Sequence, residues 1–284
     1  MIVVTAATGQ LGHLVVNALL RKLPAREITA AVRAPERAMA LADLGVHVKA
    51  ADYDAPDTLV EAFTGADKVL LISSNALGSR ATQHRAAIEA AQKAGVGRLV
   101  YTSVLHADTS ALRLAVEHRD TERAIRDSGL TWTLLRNGWY VENYAQTVAE
   151  AARTGSFVGS AGDGRIAAAT RADFADAAAT VLTGDSHENK VYELAGDSDW
   201  SYADLAAEIA TITGRTVSYQ DVPGARHREI LADAGLPAAL VDLLVDTDRC
   251  IAVGGLTDSS GDLRALLGRP TTTLTEAVTA LLSR

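Results

Sequence analysis

Short unbroken apolar runs alternate with helically spaced apolar positions along the first half of the chain. Ile2-Val3-Val4 is β-branched and continuous, the composition of a strand buried on both faces of a parallel sheet. After Gly9 the apolar residues fall at Leu11, Leu14, Val15, Ala18 and Leu19, which is helical spacing. The same alternation recurs. Residues 28–32, 46–50, 69–72, 99–101 and 131–135 predict five further strands. Helices are predicted through residue 42, over 58–63, over 83–94 closed by Gly95, and over about 114–127 before Gly129. Strand and helix alternate six times, so the expected fold is α/β: a Rossmann-type, doubly wound parallel sheet with ligand contacts at the carboxyl ends of its strands.

Beyond Gly155 the pattern loosens. Ala161-Gly162-Asp163-Gly164 reads as a loop, 174–182 as a helix and 191–194 as a seventh strand returning to the sheet. Trp200 opens a helical region whose cap is Ser201 before Asp204. From there mostly helices are expected, with one strand near Val217. The predicted organisation is a cofactor-binding Rossmann domain over 1–155, completed by 185–197. A smaller, mostly helical lobe on the substrate side takes 156–184 and 198–284.

Composition narrows the function. With 27 basic and 35 acidic residues the net charge is −8, which argues against nucleic acid or an acidic membrane surface as partner. The one cysteine, Cys250, allows no intrachain disulfide and no cysteine-based zinc site. The strand at the N-terminus leaves no room for a signal peptide, and no apolar run approaches the ~20 residues of a membrane span. A cytoplasmic protein without membrane insertion is expected.

The turn between the first strand and helix carries the clearest chemistry. Ala6, Ala7, Thr8, Gly9, Gln10 and Leu11 lead into Gly12, so Ala6, Gly9 and Gly12 are spaced by three. The free N–H groups of a helix N-terminus suit a pyrophosphate, and the glycines allow close approach. The bland alternative is an ordinary strand-to-helix turn. A glycine is usual where Ala6 stands, so Ala6 is expected at negative φ, where its Cβ is tolerated. After the second strand an NAD site commonly places an acid. This chain has Arg33, with Arg37 a helical turn later. A guanidinium suits a 2′-phosphate, so NADPH is expected over NADH, unless Arg33 is only a solvated charge.

Together the segments VTAATGQLG, VRAP, ADYD, LLISSN, YTSVLHADTS, LLRNGWYVENY, AGDG, ATRADFA, VYELAGD and RPTTTLTEAV resemble the NmrA-like branch of the atypical short-chain dehydrogenases/reductases, and within it the flavin-free quinone reductases. The resemblance covers essentially the whole chain, and LLRNGWYVENY and SVLHADTS are more specific than the glycine turn. It implies that NADPH also meets Ser73, Ser74 and Asn75, then Asn137, Gly138, Trp139, Tyr140, Val141 and Glu142. Asn75 departs from the small residue common there. The implied activity is hydride transfer from NADPH to a small-molecule quinone, without flavin or metal. Two alternatives stand beside it: reduction of triphenylmethane-like dyes, and a non-catalytic NADP-binding redox sensor of the NmrA type. A homodimer is left open.

Ordinary short-chain dehydrogenases pair Tyr with a Lys four residues on. None of the seven tyrosines here has one, so a Tyr-Lys relay is excluded. An electrophilic quinone demands less, because stacking and positioning supply much of the rate. Candidate catalytic groups are Ser103, at the end of the fifth strand, and His118, where related isoflavone-type reductases carry a Lys. The alternative for His118 is a solvated pair with Glu117 or Glu122. Ser103, His106 and Asp108 have the residue types of a triad but lack the G-x-S-x-G elbow. Tyr140 and Tyr144 are expected to be core residues or an aromatic wall for the acceptor.

Overall fold

The computed structural model describes residues 1–76 and 78–283. A seven-stranded, wholly parallel sheet forms its centre, in the order β3-β2-β1-β4-β5-β6-β9. Its strands are β1 (Ile2–Thr5), β2 (Ile28–Val32), β3 (His47–Ala50), β4 (Lys68–Leu71), β5 (Arg98–Val104), β6 (Trp132–Asn137) and β9 (Lys190–Leu194). All residues of β1, β2 and β5 are buried, as the unbroken apolar runs require. The chain winds outward from β1 to β3, then returns to place β4 on the other side of β1. The strand order therefore reverses between β1 and β4, where α/β sheets open a ligand crevice.

Two helical layers cover the sheet. α1 (Gln10–Leu20), α2 (Met39–Asp43), α7 (Arg171–Thr183) and α11 (Asp262–Leu267) share one core with β1 and β2. α3 (Pro56–Phe63), α4 (Arg80–Lys93) and α5 (Ala115–Asp127) pack on the opposite face through Phe63, Ile88 and Ile125. α7 differs from the expected division, which put 156–184 in the smaller lobe. Phe174, Ala178 and Leu182 pack against α1, and Arg21 pairs with Asp176. Its apolar face matches the open flank of the sheet, and only the segment before it belongs to the second core.

That second core is built from α6 (Ala145–Thr154), α8 (Tyr202–Thr213), α10 (Ala238–Ala252) and α12 (Leu274–Leu282), with α9 (Gly224–Asp233) against α10. Four short strands join it. β7 (Ser156–Gly159) pairs in parallel with β11 (Ser218–Asp221), and β8 (Arg165–Ile166) antiparallel with β10 (Trp200–Ser201). The sequence predicts only the strand near Val217. The others are two to four residues long and find partners far along the chain, so no local period marks them. Trp200 lies in β10 and not at a helix start. The capping box of Ser201 and Asp204 forms at α8 as expected.

Candidate active site

The turn after β1 closes when the Gly9 N–H donates to the Ala6 carbonyl, 2.8 Å away. To present that carbonyl Ala6 takes φ +49°. The expectation of negative φ is therefore wrong: the geometry needs the left-handed conformation, and Ala6 bears a cost of about 1–2 kcal/mol. A Cβ on Gly12 would overlap the Ala6 carbonyl oxygen and stand 2.8 Å from the Ala7 Cα. Only glycine lets α1 approach β1 so closely. Gly9 caps α1 without a side-chain hydrogen bond, and no acid occupies the first turn. Thr8, Gly9 and Gln10 are exposed, whereas Ala7 and Leu11 are buried. The uncapped amides of Gln10 and Leu11 fit a phosphate group.

Arg33 follows β2 directly and is exposed. Neither it nor Arg37 has a carboxylate partner among the described residues, which leaves both free to meet an anion.

After β4 the Ser73 N–H donates to Thr102 Oγ1 (2.9 Å) and the Ser74 N–H to His84 Nε2 (3.0 Å). Arg80 Nε donates to the Ser74 carbonyl. The buried Ser74 Oγ has no partner among the described residues, and Asn75 is exposed. His84 thus anchors this loop. Its Nε2 accepts, so Nδ1 carries the proton and donates to Thr121 Oγ1 (3.0 Å). Burial, helped by the Arg80 charge, lowers the His84 pKa to about 3. His118 lies in the same layer with 5% exposure, its Nδ1 2.7 Å from the Tyr101 hydroxyl. Burial, Arg80 and His84 push its pKa well down. The solvated pairing with Glu117 or Glu122 is not formed.

Ser103 points into that same layer, where its Oγ donates to Glu122 Oε1 (2.6 Å). Ser103, Arg136 and Glu193 stand side by side on β5, β6 and β9. The buried Arg136 donates Nε and Nη2 to the two Glu122 oxygens (2.9 and 2.7 Å). Its Nη1 reaches Glu193 (2.7 Å) and Asp108 (3.1 Å). The other Glu193 oxygen accepts the His106 N–H (2.8 Å), and His106 sits at φ +53°. The network fixes the loop after β5. The triad types do not converge: the Ser103 hydroxyl belongs to Glu122, and the His106 ring faces the Thr257 carbonyl (3.0 Å). Arg136 and Glu193 are the organisers that sequence reasoning missed, although both lie inside quoted segments.

The segment after β6 borders two spaces. On the sheet side the Gly138 N–H donates to the Leu194 carbonyl (2.7 Å), and a Cβ there would stand 2.9 Å from that oxygen. Asn137 Nδ2 donates to the Tyr140 hydroxyl (3.2 Å), while its buried Oδ1 has no partner among the described residues. An amide donor satisfies such an acceptor, so the site fits the carboxamide of a nicotinamide. The Tyr140 ring is held between the Arg171 guanidinium, 4.4 Å from its centre, and the edge of Phe174. Val141 is buried and bonded to the Ala169 carbonyl. The Glu142 carboxylate accepts the Arg171 N–H at the start of α7 (3.0 Å).

On the lobe side a cavity of about 300 Å³ opens. Trp139, Tyr144, Phe157 and Tyr202 give it aromatic walls, and leucines of α10 close it. Tyr144 is 7% exposed and meets Trp200 and Tyr202 edge-on, so it is core and cavity wall at once. The cavity also has a polar corner of His227 and Asp248, which no sequence motif marks. A larger space of about 480 Å³ beyond Val141 is lined by charge pairs, Arg165 with Asp199 and Asp204, and Arg264 with Asp197. It lacks a comparable aromatic wall. Among the described residues there is no cluster suited to a metal ion, and no helix long and apolar enough to cross a membrane.

Residues 6–185 match the model of a family described as NAD(P)H-binding. Over 99% of its length the chain is 52% identical to Quinone oxidoreductase 2 of Escherichia coli (strain K12), covering 98% of that protein. It superposes with a TM-score of 0.97 on the crystal structure of the NADPH-dependent quinone oxidoreductase QOR2 from Escherichia coli complexed with NADPH, at 52% identity and 99% coverage of each chain. The Citrobacter sp. triphenylmethane reductase complexed with NADP(H) is similar at a TM-score of 0.96 and 38% identity, over 99% of this chain and all of the other.

Proposed function

The chain belongs to the NAD(P)H-binding family, in its NmrA-like branch, and from that premise we propose that it is an NADPH-dependent, flavin-free quinone reductase that forms the hydroquinone in one two-electron step. The observation that carries the reading is the position of residues 137–144. Asn137 ends β6 and Gly138 follows it at the carboxyl edge of the sheet, and Trp139 and Tyr144 line the aromatic cavity. One segment therefore borders donor and acceptor. The cofactor supplies the hydride.

The protein's part is binding and orientation. The amides of Gln10 and Leu11 hold the pyrophosphate, with Ala6, Ala7, Thr8 and Gly9 forming the turn. Arg33 takes the 2′-phosphate as a charge-assisted partner. Ser73, Ser74 and Asn75 flank the middle of the cofactor, and Ser74 Oγ is the free hydroxyl among them. Asn137 Oδ1 accepts from the carboxamide and sets the ring's orientation. Trp139 and Tyr144 flank the flat acceptor in an apolar space, which keeps water from the hydride. Tyr140, Val141 and Glu142 support this wall. Ser103 and His118 act as positioning residues, because both are buried and bonded on the far side of β5. The cofactor falls to residues 1–155 with 185–197 and α7, the acceptor to the second core. A reducing cytoplasm suits the single buried Cys250 and the use of NADPH.

The test is steady-state oxidation of NADPH by flavin-free protein, with benzoquinone, menadione and a triphenylmethane dye as parallel acceptors. Turnover on the quinones is expected, faster with NADPH than with NADH. Tight NADPH binding with no turnover on any acceptor would make the protein a sensor instead.

A further inference from the structure

His227 lies in the first half of α9, 6% exposed, and lines the aromatic cavity. Its Nδ1 is 3.1 Å from Asp248 Oδ2. Asp248, on α10, is itself 3% exposed. It accepts the Ser160 N–H (2.7 Å) and hydroxyl (3.2 Å) at Oδ2, and the Tyr202 hydroxyl (2.6 Å) at Oδ1. Both Asp248 oxygens are thus occupied as acceptors. Because the Ser160 hydroxyl donates to Asp248, its oxygen accepts the proton on the histidine's near nitrogen (3.1 Å), so Nδ1–H is held by the Ser160–Asp248 pair. The far nitrogen, Nε2, has no hydrogen-bond partner among the described residues and is not sealed from solvent. A serine–carboxylate pair that fixes the tautomer at Nδ1, with Nε2 left free at a ligand cavity, is an arrangement suited to a proton-transfer histidine.

Resting on the quinone-reductase reading, we propose that His227 is a catalytic residue, the general acid for the acceptor, and that Asp248 positions it. As the hydride reaches the quinone, negative charge develops on its oxygen. The Nε2–H bond of the imidazolium breaks and an O–H bond forms on that oxygen. The C4–H bond of NADPH breaks, and its hydrogen with the electron pair forms the O–H bond on the other quinone oxygen; the two O–H bonds make the hydroquinone, one hydrogen coming from the histidine and one from NADPH. The imidazole is left neutral, its Nδ1–H still held by Ser160 beside Asp248, and a solvent proton restores it. Asp248 stabilises the charged ring without taking its proton. His118 cannot substitute, because its ring lies behind β5 against Tyr101.

The experiment compares wild type, His227→Gln, His227→Ala and Asp248→Asn with NADPH and a benzoquinone. NADPH affinity, read by fluorescence, serves as the control for folding. General acid catalysis contributes at least ~10²-fold in most sites, and a reactive acceptor needs less, so kcat should fall ~10- to 100-fold in both His227 variants. The KM for quinone should change far less. Added imidazole should restore turnover of His227→Ala with saturation, which a purely structural role would not allow. Asp248→Asn should lower kcat and respond to no added base. Wild-type kcat in His227→Gln, or a loss that imidazole does not restore, overturns the proposal and leaves the quinone-reductase reading intact. Absence of quinone turnover in the wild type overturns that reading itself.

Discussion

At the carboxyl edge of the large sheet the groups proposed to meet the cofactor are mainly backbone: the amides of Gln10 and Leu11 and the bare Cα of Gly138. In the second core they are side chains, with Trp139, Tyr144, Tyr202 and His227 drawn from separate elements around one cavity. A backbone-built site is specified wherever a Cβ would not fit. A side-chain-built site is specified only once the lobe has folded. On the proposed reading the first half seats the cofactor, and residues of the second choose the acceptor.

The strongest way to break this contrast is through the network that holds the loop after β5 between the two halves. Arg136→Met leaves the buried Glu122 without its bidentate partner and Glu193 without its cation. Removing one partner of a buried pair costs about 3–5 kcal/mol, which urea denaturation should read as lost stability. Next comes Gly12→Ala. Its Cβ would meet fixed backbone, so α1 must move away from β1. Overpacking of this kind costs about 1–3 kcal/mol, and NADPH affinity should fall with it in calorimetric titration. Arg33→Ala should weaken NADPH by about 10- to 100-fold, one charge-assisted pair, with NADH nearly unchanged. Equal losses for both cofactors would make Arg33 structural.

Much of the cofactor half was legible. Central parallel strands are apolar throughout, so 2–4, 28–32 and 69–72 stand out without a period of two. The glycine turn sits in the context its mechanism needs. Ala6 was misread because the residue type suggested negative φ, whereas the Gly9 hydrogen bond decides it. α5 was legible as a helix, but its buried face was not, because its sequence is densely charged. Its buried stripe, Ala115, His118, Glu122 and Ile125, shows helical spacing only when a histidine and a glutamate are counted as core. The acceptor side was least legible. His227 and Asp248 belong to different helices, and only the fold of the lobe joins them.

A pH series sharpens the contrast between the two histidine sites. His84 titrates near 3 when folded and near 6.5 when unfolded. Its neutral form therefore contributes fully above pH ~6.5. Between ~6.5 and ~3 the unfolded chain binds the extra proton, so stability falls as pH falls. The slope is at most about 1.4 kcal/mol per pH unit for this residue, and His118 acts in the same direction. His84→Gln should flatten the acid limb of the melting-temperature profile; an unchanged limb would place the acid sensitivity elsewhere. The smallest expected effect is Ala6→Gly, which relieves the left-handed alanine. It should gain about 1 kcal/mol in thermal melts, or less once the added unfolded-chain entropy is counted.

The central claim is direct transfer between a backbone-held NADPH and an acceptor in the aromatic cavity. Stopped-flow oxidation of 4-deuterated NADPH by a quinone, on protein freed of flavin, tests it most directly. The account predicts a single phase with a primary isotope effect, one hydroquinone formed per NADPH, and deuterium lost from one face of the ring. A reaction that waits for added flavin, or radical intermediates in rapid-freeze spectra, would contradict it.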